Sequence, residues 1–91
     1  ETRGALARLR RGAQSVEISP AAKLAWQEDA GGLTVFANGE SLDCALRALP
    51  ALMLLCGGTS LAGASLDNAR ADPDTASLLE SLLQRGCIHV R

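Results

Sequence analysis

Apolar and polar residues alternate in the middle of the chain, a pattern typical of half-buried β-strands. In LTVFANGESL, residues 33–42, two such runs flank Asn38 and Gly39. Asn-Gly is the strongest short-range signal for a two-residue hairpin, because both turn positions need φ > 0. That turn pairs Ala37 with Glu40 and so sets the register. The pattern predicts three strands, at residues 23–27, 33–37 and 40–43.

The same register pairs Val35 with Leu42 and sorts the side chains by face. The face predicted to pack on the helices holds Leu24, Trp26, Leu33, Val35 and Leu42. Phe36 points the other way, either as a partly covered surface aromatic or as a contact with another domain. Phe36, Asn38 and Gly39 are therefore the candidate interdomain or partner contact.

A helical period follows the hairpin. In LPALMLLCGG the helix is expected to begin near Pro50, or one turn earlier with a kink, and to stop at Gly57 and Gly58. Thr59 or Ser60 is then expected to cap a second, weaker helix.

The third predicted helix has the clearest boundaries. Asp72 is a favoured N-cap, Pro73 suits the first helical position, and Gly86 ends the helix. Its apolar face is formed by Leu78, Leu79, Leu82 and Leu83. The final CIHVR is predicted to be a strand with Ile88 and Val90 on one side.

These elements indicate a small α+β winged-helix domain with three helices, a β-hairpin wing and a C-terminal strand. Residues 1–12 are predicted to end a preceding helical segment, since Leu6 and Leu9 are spaced as on a helix face. Residues 13–21 form a connector in which Val16 and Ile18 can pair briefly as a strand, and residues 22–91 form the winged-helix domain.

The composition indicates the kind of polypeptide and the cellular compartment to which these residues belong. The 91 residues contain one methionine, Met53, and it lies far from the start, so we expect a piece of a longer polypeptide. No run reaches the roughly 18 apolar residues of a membrane span, which predicts a soluble chain without membrane partners. Cys44, Cys56 and Cys87 are odd in number and lie among apolar residues, as reduced thiols of a cytoplasmic protein do.

Candidate chemistry is sparse, and no catalytic, cofactor-binding or metal residue is predicted. His89 is the only histidine, and Cys87 lies two residues away, but the other cysteines lack the close spacing of a zinc site. A cysteine–histidine nucleophile there lacks a shaped pocket. The carboxylates of Asp67, Asp72 and Asp74 are explained as helix-end charges.

CGGTS, residues 56–60, lacks the lysine of a phosphate-binding loop and is better explained as a helix terminator followed by a cap.

The charge distribution argues against DNA. Four arginines and one glutamate give residues 1–11 a charge of +3, so residues 12–91 carry −4. In a winged helix the third helix would contact the duplex, and here it carries Asp74, Glu80, Gln84 and Arg85. Phosphate neutralisation supplies most duplex affinity, so this helix would be repelled. The N-terminal arginines remain able to contact RNA.

KLAWQEDAGGLTVFANGESLDC, the LLCGG helix end and ASLLESLLQRGCIHVR together resemble the C-terminal winged-helix domain of bacterial ribosomal oxygenases. These are cupin-type, JmjC-like dioxygenases, also called cupin-4 proteins, that use Fe(II) and 2-oxoglutarate. The similarity covers about residues 22–91, and neither of its most specific parts, F-x-N-G-E and L-L-x-x-G, is catalytic.

The resemblance implies a larger, homodimeric hydroxylase whose N-terminal cupin barrel acts on an arginine of a ribosomal protein. The present residues would form its noncatalytic C-terminal domain, which contacts the upstream cupin and helical domains or the substrate protein. They hold no cofactor themselves, since the iron triad needs two histidines and a carboxylate.

A second family has a similar outline. Peptide-binding domains of the PqqD type also contain a hairpin followed by helices, and they take up a precursor peptide by strand addition. The alternatives to the oxygenase hypothesis are therefore a free-standing peptide-binding module and a nucleic-acid-binding winged helix.

Overall fold

The structure is a computed structural model, and it describes residues 2–91. Within this range the chain forms four α-helices, a 3-10 turn and six strands, which confirms the α+β winged-helix class. The helices are α1 Thr2–Arg11, α2 Leu49–Cys56, α3 Ala64–Ala71 and α4 Pro73–Gln84. The strands are β1 Ser15–Ile18, β2 Leu24–Asp29, β3 Gly32–Ala37, β4 Glu40–Cys44, β5 Leu61–Ala62 and β6 Ile88–Val90.

The strands form two antiparallel sheets, in the orders β2-β3-β4 and β5-β1-β6. We call the first sheet the wing. Its hairpin has the predicted register, with Ala37 opposite Glu40 and Val35 opposite Leu42. The turn residue Asn38 has φ 50° and Gly39 has φ 90°, as a two-residue Asn-Gly turn requires.

The inner face of the wing packs on the helices, as the alternation predicts. Leu33, Val35 and Ala37 are buried in a core that they share with the leucines of α2 and α4. Leu24 and Trp26 pack against this core but are only partly buried. They lie on β2, which is an edge strand, and this leaves one flank of each side chain open to solvent.

Residues before the wing are part of the same packed body. Leu9 of α1 is buried at 3% exposure, and Val16 of β1 is fully buried. β1 is the central strand between β5 and β6, which confirms the brief strand pairing expected there. The boundaries proposed at residues 12 and 21 remain a prediction.

α2 begins at Leu49, with Pro50 in its first turn, and a 3-10 turn at Leu46–Ala48 precedes it. The helix ends at Gly57 and Gly58, as expected, and Gly58 has a φ of 83°. α4 begins as predicted, because the side chain of Asp72 accepts a hydrogen bond from the Thr75 amide at 3.0 Å.

The predicted start of α3 is wrong. The chain first forms β5 beside β1, and α3 begins only after Gly63, so neither Thr59 nor Ser60 caps it. Gly63 occupies the N-cap position with a φ of 57°, a conformation that glycine adopts without a steric cost.

None of the helices in residues 2–91 combines the length and the apolar character needed to cross a membrane.

Candidate interaction surface

The outer face of the wing carries one large apolar side chain. Because side chains alternate along a strand, Phe36 points away from the core, and it is 42% exposed. Its direct cross-strand neighbours, Ala25 and Ser41, are both small and exposed, so they leave the sides of the ring uncovered. Phe36 is therefore the large apolar side chain of a sheet face that otherwise carries small and polar residues.

The wing turn is fastened to the body of the domain. The side-chain oxygen of Asn38 accepts a hydrogen bond from the Lys23 amide at 2.9 Å. Its Nδ2 donates to the carbonyl of Arg85 at 3.2 Å, at the end of α4. The Arg85 guanidinium in turn lies 2.8 Å from a carboxylate oxygen of Glu40. The three predicted contact residues thus lie together, with Phe36 outward and Asn38 already engaged within the domain.

The wing has edge strands on both sides, β2 and β4, and the β4 edge is open. The two-residue turn makes Ala37 and Glu40 a hydrogen-bonded pair, so every second residue of β4 bonds to β3. Ser41 and Asp43, the residues between, direct their backbone N–H and C=O groups away from β3. No turn, loop or side-chain hydrogen bond within residues 2–91 engages those groups. β4 therefore presents an unpaired strand edge.

A groove of about 310 Å³ separates this edge from α4. Its polar lining comes from Asp43 on β4 and from Asp74, Ser77 and Ser81 on α4. Cys44 also lines it, and burial raises the pKa of its thiol, with Asp43 and Asp74 raising it further. This thiol stays protonated and is a poor nucleophile.

A second, more apolar groove lies against α2, and sequence reasoning did not anticipate it. It has a volume of about 470 Å³, and Leu54, Leu61 and Pro50 contribute to its walls. Beside it, Met53 and Leu54 are 53% and 37% exposed. The signal in the sequence was LPALMLLC itself, which is apolar on all sides, so a helix packed on one face must leave some of these side chains exposed.

Cys87 and His89 do not form a joint site. Cys87 is fully buried, and burial raises the pKa of its thiol. His89 places Nε2 at 3.1 Å from Oε1 of Glu17 on the neighbouring strand β1. A hydrogen bond from the Ser60 hydroxyl lowers the pKa of Glu17, with smaller contributions from His89 and Arg91. This cluster joins the neighbouring strands β1 and β6 of the second sheet.

No group of three or more metal-binding side chains occurs among residues 2–91. The CGGTS stretch ends α2, as predicted, and then enters β5 rather than a helix. A phosphate-binding loop needs the amides of a following helix N-terminus, so this geometry does not suit one.

The charged side chains of α4 form ion pairs and hydrogen bonds with other residues of the domain. Glu80 forms a bidentate ion pair with Arg10 of α1, whose guanidinium nitrogens lie 2.9 and 3.0 Å from the two carboxylate oxygens. Arg85, the cation predicted on this helix, contacts both Glu40 and the Ser81 carbonyl. Asp74 lies 3.3 Å from Arg47. A helix arranged in this way offers few positive charges to a duplex.

A family model described as a ROXA-like winged helix matches residues 5–89 of the chain. The match includes most of α1, the entire wing, and helices α2 to α4. No curated protein and no solved structure gives a match.

Proposed function

Because the chain belongs to the ROXA-like winged-helix family, whose members are domains of ribosomal oxygenases, we propose that it is the noncatalytic C-terminal domain of a ribosomal-protein hydroxylase. In this proposal the complete enzyme is a cytoplasmic homodimer that uses Fe(II) and 2-oxoglutarate to hydroxylate an arginine. The domain packs on the upstream cupin and helical domains or docks the substrate protein.

The side chains of this chain do not fit the iron of such an enzyme. The facial triad of these oxygenases consists of two histidines and a carboxylate, and the sequence contains one histidine. That histidine already contacts Glu17, its direct cross-strand neighbour in the second sheet. We therefore assign the metal and 2-oxoglutarate to the upstream part of the parent enzyme.

The exposed ring of Phe36 is the observation that supports a contact role for the wing. Large exposed aromatic side chains are enriched where proteins contact one another, because their burial removes much apolar surface from water. Phe36 lies on a rigid sheet whose turn is fastened to α4 through Asn38. Such a surface is already ordered before it binds, which lowers the entropy cost of association.

The first test concerns the parent polypeptide. The reading frame upstream of Glu1 should encode a domain with an H-x-D motif followed by a distant histidine. The purified full-length protein should then hydroxylate a ribosomal protein in the presence of Fe(II) and 2-oxoglutarate, as detected by mass spectrometry. A frame that begins within a few residues of Glu1 would contradict the proposal and favour a free-standing peptide-binding protein.

The second test concerns Phe36. In the parent enzyme, Phe36→Ser should lower hydroxylation of the intact ribosomal protein about tenfold, since burial of such a ring contributes about 1.5–3 kcal/mol. The matched control is Ala25→Ser on the neighbouring strand, which should change little. In the 91-residue chain, Phe36→Ser should leave the melting temperature nearly unchanged. A large loss of thermal stability there would show that the ring serves the fold of this domain instead.

A further inference from the structure

We infer that the open edge of β4 and the groove beside α4 bind an extended, positively charged segment of a partner protein, which adds to the wing as a fourth strand. This inference deepens the docking role proposed above and depends on it only for the source of the segment.

Strand addition first requires unpaired backbone hydrogen-bonding groups, and β4 has them. Ser41 and Asp43 each direct one N–H and one C=O outward from the sheet, and their spacing is that of an antiparallel or parallel partner strand. Unpaired strand edges are templates for pairing with another chain. An added strand here would form main-chain hydrogen bonds without displacing any existing one.

Strand addition also requires space for the side chains of the added strand, and the groove provides it. Side chains of an added strand would alternate between the outer face of the wing and the groove below it. On α4 the groove is bordered by Ser77 and Ser81, whose short side chains leave room in a space of about 310 Å³. One set of partner side chains would thus lie in the groove, and the other would lie on the outer face of the wing beside Ser41 and Asp43.

Charge selects the partner. The eight residues that line this groove include two carboxylates, Asp43 and Asp74, and no lysine, arginine or histidine. Asp43 has no ion-pair partner among residues 2–91, and Asp74 shares the exposed Arg47 with Asp72. A lysine or arginine opposite Asp43 on an added strand would form a favourable cross-strand pair.

The same charge disfavours a second copy of this chain. Antiparallel pairing of β4 with another β4 in the register that sets Asp43 opposite Asp43 would bring two carboxylates together, and like charges in opposed strand positions are destabilising. In the register that sets Asp43 opposite Ser41, the second copy supplies no cation for Asp43. The edge is therefore better suited to a basic partner than to itself.

The test is a titration of the ¹⁵N-labelled 91-residue chain with a blocked heptapeptide of alternating lysine and valine, followed by amide chemical shifts. A peptide with glutamate in place of lysine is the charge control. We expect saturable shifts centred on Ser41, Asp43, Asp74 and Ser77 with the lysine peptide, and none with the glutamate peptide. Shifts scattered over all acidic surfaces, or equal shifts with both peptides, would overturn the inference.

Two variants distinguish the contribution of backbone hydrogen bonds to peptide affinity from that of the Asp43 charge. Ser41→Pro removes an outward N–H while it leaves the ladder to β3 intact, since proline is tolerated on an edge strand. This variant should lower the affinity for the lysine peptide about fivefold or more. Asp43→Lys should lower the affinity for this peptide by a similar factor. Asp29→Lys makes the same charge change on β2 and should change the affinity by less than about twofold.

Retained binding in Ser41→Pro, or equal losses in both lysine variants, would contradict strand addition at β4. Concentration-dependent protection of the Ser41 and Asp43 amides without peptide would instead assign the edge to a second copy. The titration contains no iron, 2-oxoglutarate or ribosomal protein, so its failure is distinguishable from failure of the hydroxylase proposal.

Discussion

At the scale of single residues, two glycines with open surroundings should respond in opposite ways to the same substitution. Apart from its chain neighbours and its own helix backbone, a Cβ at either Gly4 or Gly39 would meet no atom of residues 2–91 within 4 Å, so the backbone conformation is the main difference. Gly39 has a φ of 90° in the wing turn, whereas Gly4 lies inside helix α1. We expect Gly39→Ala to lower the free energy of unfolding by about 1–2 kcal/mol.

The matched substitution is Gly4→Ala, which should raise the free energy of unfolding by about 0.5–1 kcal/mol because alanine restricts the unfolded chain and favours helix. Urea denaturation of both variants, compared with the parent chain, measures the two changes. A loss of stability in Gly4→Ala as large as that in Gly39→Ala would contradict this explanation.

The residues that the sequence predicted well depend on local rules. Asn38 and Gly39 set the hairpin through their own backbone preferences, and the alternation then placed Phe36 on the outer face. The contact of the Asn38 amide with the Arg85 carbonyl joins positions 47 residues apart, and no local pattern encodes it. The open edge at Ser41 and Asp43 likewise appears only once the sheet order is known.

At the scale of elements, α1 is attached to the rest of the domain by both apolar and polar contacts. Leu9 is buried, Arg8 donates to the Val90 carbonyl at 3.1 Å, and Arg10 pairs with Glu80. Arg70 of α3 donates to the Arg10 carbonyl at 3.0 Å, near the C-terminal end of α1. Three other elements therefore hold this helix in one orientation.

We expect Leu9→Ala to lower the free energy of unfolding by about 2–5 kcal/mol, because it empties a packed site between α1 and α4. Arg11→Ala, on the exposed end of the same helix, is the control and should change stability by less than about 0.5 kcal/mol. Thermal and urea unfolding of the 91-residue chain measure both. If Leu9→Ala were as stable as the control, α1 would not be an integral part of this fold.

The elements that sequence reasoning missed depend on distant partners. β5 is two residues long, and it becomes a strand only because Leu61 and Ala62 lie against Val16 and Ser15 of β1. That pairing moves the start of α3 to Ala64 and makes Gly63 the N-cap in place of Thr59 or Ser60. α4, by contrast, was predicted because Asp72, Pro73 and the leucine spacing are local signals.

At the scale of the whole molecule, the arrangement of charge bears on whether this winged helix binds nucleic acid. The net charge is −1, and the positive end of the sequence is folded onto the acidic body. Arg10 is paired with Glu80, and Arg8 contacts a backbone carbonyl, so these cations already have partners within the domain. The groove beside β4 adds two carboxylates.

Duplex binding draws its affinity from cations that neutralise phosphates, and it weakens steeply as salt rises. We therefore expect a fluorescein-labelled 20-base-pair duplex to show no saturable change in anisotropy at about 0.1 M salt and up to about 100 μM protein. A single-stranded RNA of equal length tests the N-terminal arginines separately, with Arg11→Ala as the variant that leaves the paired cations in place. Salt-sensitive, saturable duplex binding would contradict the protein-docking role and assign this domain to nucleic-acid recognition, because an acidic surface can gain duplex affinity only through a cation cluster.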